Sequence, residues 1–299
     1  MNLNTQEKIN KFLDNKNLKN KIIIVYGPTA CGKTSLGIDI AKYINSEIIS
    51  TDSRQIFKYL NIGTGKATKD EMDGIIHHMI DIITPNISYS VGEFKKESLK
   101  IIDNLFLKNK IPILVGGTGL YIDSLIYDFN IPKVPGDKEL REKLEQEAKQ
   151  FGKEFVYKKL IEIDSKYAKT IHPHNLNYVI RGIEVKMLSG KSKLDFVQDK
   201  ILKYDTLFLT PYNGDREKLY EKINKRINLM FESGLIEEVI EILNNGFLKT
   251  DFGLQTIGYK EVVEFLDGKI TKQECIDKVS QANRNYAKRQ LTWFRKYPN

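Results

Sequence analysis

One stretch near the N-terminus constrains the fold more than any other part of the sequence. Residues 22–26 (IIIVY) form an apolar run typical of a buried strand, and from Ser35 the apolar residues recur at helical spacing. Between them lies a match to the phosphate-binding pattern G-x-x-x-x-G-K-[ST] at every fixed position. The matching residues are Gly27, Pro28, Thr29, Ala30, Cys31, Gly32, Lys33 and Thr34. The strand before and the helix after favour a phosphate-binding loop over a chance match on a glycine-containing turn.

This loop has the chemistry needed to bind a phosphate ester. Its glycines let successive backbone amides turn inward as a cradle for an anion. The helix that follows directs its N-terminus at the same place. Lys33 adds a positive charge, and the Thr34 hydroxyl is placed to ligate Mg²⁺. The loop itself does not indicate which phosphate ester it holds.

Composition limits the class of protein and its partners. The 299 residues are 41% hydrophobic and 29% charged, which is ordinary for a globular protein of one large or two modest domains. No apolar run is long enough to span a membrane, and the polar N-terminus carries no secretory signal. Cys31 and Cys275 cannot make a disulfide framework or a zinc site, which predicts a cytoplasmic protein. The net charge of +8 suggests a polyanionic partner without identifying nucleic acid.

Two further segments are predicted to lie beside the phosphate loop. The strand-like run 47–51 leads into Asp52, and the run 111–115 leads into two glycines and Thr118. Strands alternate with helical segments from residue 21 to 127, which predicts a parallel α/β core. Because the carboxyl ends of parallel strands meet at one edge of a sheet, Asp52 and Thr118 should share a rim with the loop. Asp52 could instead cap a following helix, and this segment alone does not decide between the two roles.

The paired histidines His77 and His78 also have two interpretations. Histidines are common metal ligands, but no carboxylate or cysteine stands at ligand spacing on a helix near them. A structural or loop-orienting role is therefore favoured.

The character of the chain changes after residue 130. Most of residues 138–188 is helical and highly charged with few strand-like runs, whereas residues 206–210 return to a strand pattern. We therefore predict a first part of the core at residues 1–130, a helical insertion at 131–198, and a second part of the core with C-terminal helices at 199–299. Nothing in the sequence demands a dimer, so a monomer is expected.

The predicted last helix, residues 272–295, combines basic and aromatic side chains. Arg284 and Lys288 share one of its faces, and such a basic stripe can bind a phosphate backbone. Trp293 and Phe294 could stack on bases, but core packing is the commoner role for such residues.

Eight segments occur in an order that resembles one family. They are GPTACGKT, STDSRQIFKYLNIGTGK, HHMIDI, PILVGGTGLY, IHPHNLNYVIRGIEV, LIEEV, QTIGYKE and RNYAKRQLTWFR. Together they look like the tRNA dimethylallyltransferases, also called tRNA isopentenyltransferases, over residues 21 to about 296. The phosphate loop is shared by many enzymes, whereas TDSRQ, GGTGLY and AKRQLTWFR are much more specific.

The resemblance implies a fold and a reaction. The fold would be a P-loop α/β core, with a parallel sheet flanked by helices, and an inserted all-helical domain that clasps the anticodon stem-loop of tRNA. The reaction would transfer the dimethylallyl group from dimethylallyl diphosphate to N6 of adenine 37 in tRNAs that read codons beginning with U. That adenine must leave its stack to react.

The resemblance also implies a role for each matching residue at the reacting centre. Asp52 would be the base for the N6 proton, with Thr118 near the base and the prenyl donor. The loop amides, Lys33 and a Mg²⁺ ion on Thr34 would stabilise the charge that grows on the diphosphate. Arg226 would reach the diphosphate from a later helix.

Contacts with tRNA are implied for three segments and for Arg141. The segments are Asp52, Ser53, Arg54 and Gln55, with Thr118 beside them; Asn177, Tyr178, Val179, Ile180 and Arg181; and Gln255, Thr256, Ile257, Gly258, Tyr259 and Lys260. Tyr178 departs from the arginine usual in the family, and Lys222 stands where many relatives have arginine. Cys31 replaces the commoner serine or glycine. The chain lacks the Cys/His pairs of the eukaryotic zinc finger, so a bacterial form is expected.

Two alternatives to tRNA prenylation remain open at this point. An adenylate isopentenyltransferase shares the phosphate loop and the aspartate but modifies a free nucleotide, which needs no basic helical insertion. A P-loop kinase or an ATP-driven binding module would need a strand that ends in a second metal-binding aspartate, and no such strand is recognisable here.

Overall fold

The computed structural model describes residues 1–127, 134, 136–196 and 201–298. The chain divides into two compact units, Met1–Ile126 with Leu202–Asn299, and Tyr127–Ile201. The predicted domain boundaries, after residues 130 and 198, lie outside the described residues. They therefore stay predictions.

The first unit is built on a parallel sheet whose described strands run in the order β3-β2-β4-β1-β5. The strands are β1 (Lys21–Tyr26), β2 (Ile48–Ser50), β3 (His77–His78), β4 (Ile113–Gly116) and β5 (Asp205–Leu209). All neighbouring strands pair in parallel, with Ile23 opposite Ile113 between β1 and β4. The predicted parallel α/β core is confirmed. The predicted return to a strand near residue 206 is also confirmed, because β5 pairs with β1.

Helices of the first unit flank this sheet, and the helices that follow β5 form the C-terminal part of the unit. They are α1 (Leu3–Asp14), α2 (Lys33–Tyr43), α3 (Lys69–Met72), α4 (Val91–Leu107), α5 (Gly119–Ile126), α9 (Arg216–Glu232), α10 (Leu235–Asn244), α11 (Tyr259–Leu266) and α12 (Lys272–Phe294). Capping boxes begin α4 at Ser90 and α12 at Thr271. In each, the cap side chain accepts the backbone N–H of a glutamate, and that glutamate's carboxylate accepts the backbone N–H of the cap residue.

The apolar run that precedes the phosphate loop becomes a central strand. Ile22, Ile23 and Ile24 have no exposed surface, and β1 lies between β4 and β5. A parallel strand covered on both faces is continuously apolar rather than alternating. Burying each such side chain contributes about 1.5–3 kcal/mol, so β1 fixes the loop after it to a rigid base.

An aromatic cluster joins the end of β1 to the end of the chain. The Phe294 ring centroid lies 5.2 Å from that of Tyr26 and 5.3 Å from that of Tyr297. Phe294 is only 6% exposed. The predicted core role is therefore confirmed for Phe294, while Trp293 is half-buried.

The second unit is helical in its described part. Its helices are α6 (Lys138–Phe151), α7 (Lys153–Ala168) and α8 (Leu176–Ser189), followed by a short 3₁₀ turn at Lys193–Phe196. Leu144, Leu160 and Ile183 lie in one apolar core. A Cβ on Gly182 would lie 2.6 Å from the Tyr167 ring, so the glycine allows α8 to approach α7 closely. None of the described helices in either unit is both long and apolar enough to cross a bilayer.

Candidate active site

The phosphate loop bridges the end of β1 and the start of α2, as its sequence predicts. Three of its residues have positive φ: Gly27 (+145°), Ala30 (+62°) and Gly32 (+94°). A Cβ on Gly27 would lie 2.9 Å from Cys31 Sγ, so this position requires glycine. Successive turns of this kind form an anion-binding nest of backbone amides. The positive φ of Ala30 is a strained backbone conformation, which the contacts of the surrounding loop must stabilise.

Lys33 and Thr34 occupy the first turn of α2. Lys33 Nζ donates a hydrogen bond to the Pro28 carbonyl oxygen at 2.7 Å, so the side chain folds back over the loop. Burial lowers the pKa of the Lys33 ammonium, the nearby Asp52 raises it, and Arg226 lowers it further. The Thr34 side chain is exposed and lines the same cavity as Lys33.

Asp52 and Thr118 lie at the predicted rim of the sheet. The Ser53 N–H donates to Thr118 Oγ1 at 3.0 Å, and the Thr118 N–H donates to the Thr51 carbonyl oxygen at 3.0 Å. Asp52 Oδ1 accepts a hydrogen bond from the Arg54 N–H at 2.9 Å, in a turn rather than at the start of a helix. The helix-cap interpretation of Asp52 is therefore wrong, because the backbone after it forms turns and no helix begins before Lys69.

Arg226 reaches this rim from α9. Its Nη1 lies within hydrogen-bond range of Thr29 Oγ1 at 3.3 Å, and it forms no ion pair with a described carboxylate. Burial lowers the pKa of the Arg226 guanidinium, whereas Asp52 raises it. A Cβ on Gly65 would lie 1.5 Å from Arg226 Nη2. The glycine therefore leaves the space that the guanidinium fills.

A half-buried glutamate, Glu238, holds the loop that carries Gly65. Glu238 Oε2 accepts hydrogen bonds from the N–H groups of Asn61 (3.0 Å) and Ile62 (2.9 Å). Its other oxygen accepts the Tyr259 hydroxyl at 2.5 Å. Glu238 stands in the LIEEV segment, but nothing in the sequence indicates that it is the anchor of a loop so distant in the chain.

One cavity of the first unit brings these side chains together. It is lined by Thr29, Lys33, Thr34, Ile48, Ser50, Asp52, Gln55, Thr64, Gly65, Ala67, His77, Ile80, Val115, Gly116, Arg226, Tyr286 and Gln290. The lining combines the charged side chains of Lys33, Arg226 and Asp52 with the apolar side chains of Ile48, Ile80 and Val115. A ligand that carries both an anionic group and an apolar group matches this combination.

Tyr286 and Gln290 are among the cavity residues that the sequence did not assign to the site. They stand four apart on α12 and so share one helical face. Burial, together with the nearby Asp52, raises the pKa of the Tyr286 hydroxyl to about 12. Gln290 Oε1 accepts from the Thr29 N–H at 2.8 Å, and its Nε2 donates to the Gly117 carbonyl oxygen at 2.9 Å. Both residues lie in the segment RNYAKRQLTWFR, which carries the family resemblance, but the sequence does not reveal which groups their side chains contact.

Replacing Gln290 with methionine should weaken donor binding and stability together. The 4% exposed amide satisfies one donor of the phosphate loop and one acceptor of the Gly117 loop, and leaving both unpaired costs about 1–3 kcal/mol each. We expect a lower melting temperature and a higher KM for the diphosphate substrate. Gln281→Met, at an exposed position on the same helix, is the matched control. Equal KM values for the two variants would contradict this positioning role.

The paired histidines contact the protein itself. His78 Nε2 lies 2.7 Å from Glu47 Oε2, and His77 Nδ1 lies 2.9 Å from the Ile75 carbonyl oxygen. Both belong to β3, the edge strand beside β2. These contacts agree with a structural role, and His77 additionally lines the cavity.

The cavity offers few protein ligands for a magnesium ion. The described residues contain no group of three or more His, Cys, Asp or Glu side chains that could hold a metal ion. The Thr34 hydroxyl and the Asp52 carboxylate do line the cavity. Mg²⁺ prefers oxygen ligands and is commonly held by few protein groups together with water and substrate phosphates. The cavity therefore suits a Mg²⁺ ion held mainly by a diphosphate, with Thr34 as a protein ligand.

The predicted tRNA-contacting residues of the second unit are divided between surface and core. Asn177 and Tyr178 are exposed, with the Tyr178 ring 5.1 Å from Lys193 Nζ. Val179 and Ile180 are buried, so their side chains support α8 rather than face a partner. Arg181 is half-buried and pairs with Glu184.

Arg141 belongs to the same ion cluster. Its Nε and Nη2 each donate to the buried Glu184 carboxylate at 2.8 Å. Burial raises the pKa of Glu184, but the bonds from Arg141 and Arg181 hold it below its usual range. Arg141 is 44% exposed and so keeps part of its guanidinium at the surface.

The predicted contact segment 255–260 is similarly divided. Gln255 and Lys260 are exposed and Ile257 is half-buried. Thr256, Gly258 and Tyr259 are buried, and Tyr259 has no exposed surface because it packs beneath the loop that Glu238 anchors. The side chains of Thr256 and Tyr259 therefore face the protein interior, and the contact of residues 255–260 with tRNA stays a prediction.

Comparison with known proteins decides the family. The family model described as IPP transferase matches residues 55–297. This chain belongs to the IPP transferase family. The tRNA dimethylallyltransferase of Caldanaerobacter subterraneus subsp. tengcongensis is 44% identical over 282 residues, covering 93% of this chain and 89% of the relative. The family resemblance seen in the sequence segments is confirmed.

Solved structures support the same placement. The full-length tRNA isopentenylpyrophosphate transferase from Bacillus halodurans superposes with a TM-score of 0.68 at 40% identity, covering 94% of this chain and 88% of its own. A eukaryotic dimethylallyltransferase, whose structures follow it acting on tRNA, gives a TM-score of 0.79 at 30% identity, covering 92% of this chain and 70% of its own. The fold of this chain is therefore that of the family.

Proposed function

We propose that this protein is a tRNA dimethylallyltransferase. It transfers the dimethylallyl group from dimethylallyl diphosphate to N6 of adenine 37 in tRNAs that read codons beginning with U. The products are N6-(dimethylallyl)adenosine and diphosphate. The observation that carries the proposal is a single cavity, in a chain of this family, where a phosphate-binding loop faces Asp52.

The reaction forms one bond and breaks another. N6 attacks C1 of the dimethylallyl group, and the bond between C1 and the diphosphate oxygen breaks with its electron pair going to the diphosphate. The N6 lone pair is delocalised into the adenine ring, so attack needs a base. Asp52 takes the N6 proton in this proposal, and its carboxylate faces the cavity. Thr118, whose Oγ1 accepts the Ser53 N–H, is assigned to the reacting centre beside Asp52 in this proposal.

The leaving diphosphate needs positive charge and hydrogen-bond donors. The loop amides, Lys33 and Arg226 provide both, and they act where negative charge increases in the transition state. Mg²⁺ at Thr34 would neutralise further charge on the diphosphate oxygens. No hydrolysis is required, so a loop familiar from nucleotide-binding proteins here holds an isoprenoid diphosphate.

The acceptor is proposed to be the anticodon stem-loop, bound by one copy of the protein in the cytoplasm. Adenine 37 leaves its stack and enters the cavity, as in other enzymes that modify a base. The exposed members of the predicted contact segments, Arg54, Tyr178, Gln255 and Lys260 among them, are available to the surrounding loop. Recognition of a single-stranded loop by stacking and backbone contacts suits these residue types.

The deciding experiment offers labelled dimethylallyl diphosphate with bulk tRNA or with AMP. We expect label in tRNA and none in AMP, and RNase digestion should convert the labelled RNA into labelled nucleotides. Label in AMP alone would replace the proposal with adenylate prenylation. ATP hydrolysis without prenyl transfer would indicate the kinase or ATPase alternative.

A further inference from the structure

A second concave surface lies on the outer side of α12. It is lined by Lys288, Arg289, Thr292, Trp293, Arg295 and Lys296, and we call it the α12 basic surface. Four of these six residues are cations and none is a carboxylate. Such a surface attracts an anion of comparable extent.

Most of these cations lack a carboxylate partner. Lys288, Arg289 and Arg295 form no ion pair with any residue in the described ranges, whereas Lys296 pairs with Asp123. Other lysines of the first unit are paired at the surface: Lys249 and Lys269 both pair with Asp267, and Lys278 pairs with Glu264. What distinguishes the α12 basic surface is that three cations without such a pair line one concave surface that has no carboxylate in its lining.

The centre of this surface is the indole of Trp293. Lys296 Nζ lies 4.2 Å from its ring centroid. A Cβ on Gly119 would lie 2.1 Å from Trp293 Cδ1, so the ring is pressed against the residue after Thr118. Trp293 Nε1 is buried and lies against Gly119, so the indole anchors this surface to α5 while the cations around it stay at the surface.

The α12 basic surface and part of the cavity lining belong to the same helix. One face of α12 supplies Tyr286 and Gln290 to the cavity, and the neighbouring face supplies the α12 basic surface. Residues 286 to 295 span about 14 Å along the helix, at about 1.5 Å per residue. A polynucleotide with one base in the cavity must pass its backbone over a nearby surface of this size.

We propose that the α12 basic surface binds backbone phosphates of the substrate RNA that flank the nucleotide entering the cavity. The inference rests on the proposed function, since it assigns a second contact to the same RNA. Arginine and lysine contacts to phosphate supply affinity and register rather than sequence preference. The surface therefore holds the RNA while Asp52 and Thr118 act on its base.

The test compares two variants that lose the same charge. The first is Lys288→Gln/Arg289→Gln/Arg295→Gln, and the matched control is Lys249→Gln/Lys269→Gln/Lys278→Gln. We expect the first to raise KM for tRNA at least tenfold and to flatten the salt dependence of binding by a log–log slope of about 2, as loss of about three phosphate contacts requires. Its kcat at saturating tRNA and its KM for dimethylallyl diphosphate should stay within about twofold of the unmodified protein. The control should keep the original slope.

A second readout needs no variant. Trp293 is the one tryptophan of the chain, so its emission reports this surface alone. Its intensity should change on titration with tRNA, after correction for absorbance, and saturate together with binding. Equal tRNA KM values and salt slopes for the two triple variants, or constant emission at saturating tRNA, would overturn the inference. Failure of the unmodified protein to label tRNA is a different result, and it would remove the proposed function instead.

Discussion

The Asp52→Asn variant should transfer dimethylallyl groups to tRNA about 10²–10⁴ times more slowly than the unmodified protein. The amide keeps the size of the carboxylate and can still accept the Arg54 N–H, but it cannot take the N6 proton. Because Asp52 starts a turn and caps no helix, its loss should leave the melting temperature nearly unchanged. Single-turnover transfer at saturating tRNA measures the effect on the chemical step.

Two comparisons make this result specific. Binding of tRNA to Asp52→Asn, measured separately, should stay within about threefold of the original. Asp277→Asn changes an exposed carboxylate on α12 that accepts a hydrogen bond from Gln273 and does not line the cavity, so this variant should keep its turnover. Unchanged turnover in Asp52→Asn would remove this residue from the role of base.

The Arg226→Ala variant should lose about 10²–10³ in turnover, the usual effect of removing one preorganised donor from a developing anion. Gly65→Ala should reproduce much of this loss without touching the arginine. Its Cβ would lie 1.5 Å from Arg226 Nη2, so the guanidinium must leave its place. Transfer rates measured over a range of dimethylallyl diphosphate concentrations check both variants.

The control for Gly65→Ala is Gly74→Ala. Both glycines have positive φ, +59° and +75°, so alanine is strained by about 1–2 kcal/mol at either position. Apart from its two chain neighbours, none of the described residues has an atom within 4 Å of a Cβ placed on Gly74. We expect the two variants to be destabilised to a similar extent and only Gly65→Ala to lose transfer activity. That result would attribute the loss to the displacement of Arg226. Equal activity of the two variants would show that the position of Arg226 does not matter.

The local and periodic features of the site could be predicted from the sequence. The loop 27–34 requires only a strand before it and a helix after it, and both have patterns that are legible within a few residues. The shared rim of Asp52 and Thr118 follows from the parallel sheet, since β2 and β4 are neighbours and end at one edge. These predictions depend on backbone rules that tertiary packing does not change.

The features that the sequence did not reveal depend on contacts between distant segments. Gln290 bonds to Thr29 across 261 positions, and Glu238 bonds to Asn61 across 177. Periodicity reports which face of a helix is buried but not which polar group it meets. For the same reason the sequence does not reveal that the Tyr259 hydroxyl is buried under the loop that Glu238 holds.

Mapping the modified nucleoside tests the central claim most directly. Unmodified tRNA that contains adenine 37 is incubated with dimethylallyl diphosphate and Mg²⁺, digested to fragments and nucleosides, and analysed by mass spectrometry. We predict N6-(dimethylallyl)adenosine at position 37 alone, formed by the unmodified protein and nearly absent with Asp52→Asn. Prenylation at another position, or no prenylated nucleoside with the active protein, would contradict the account.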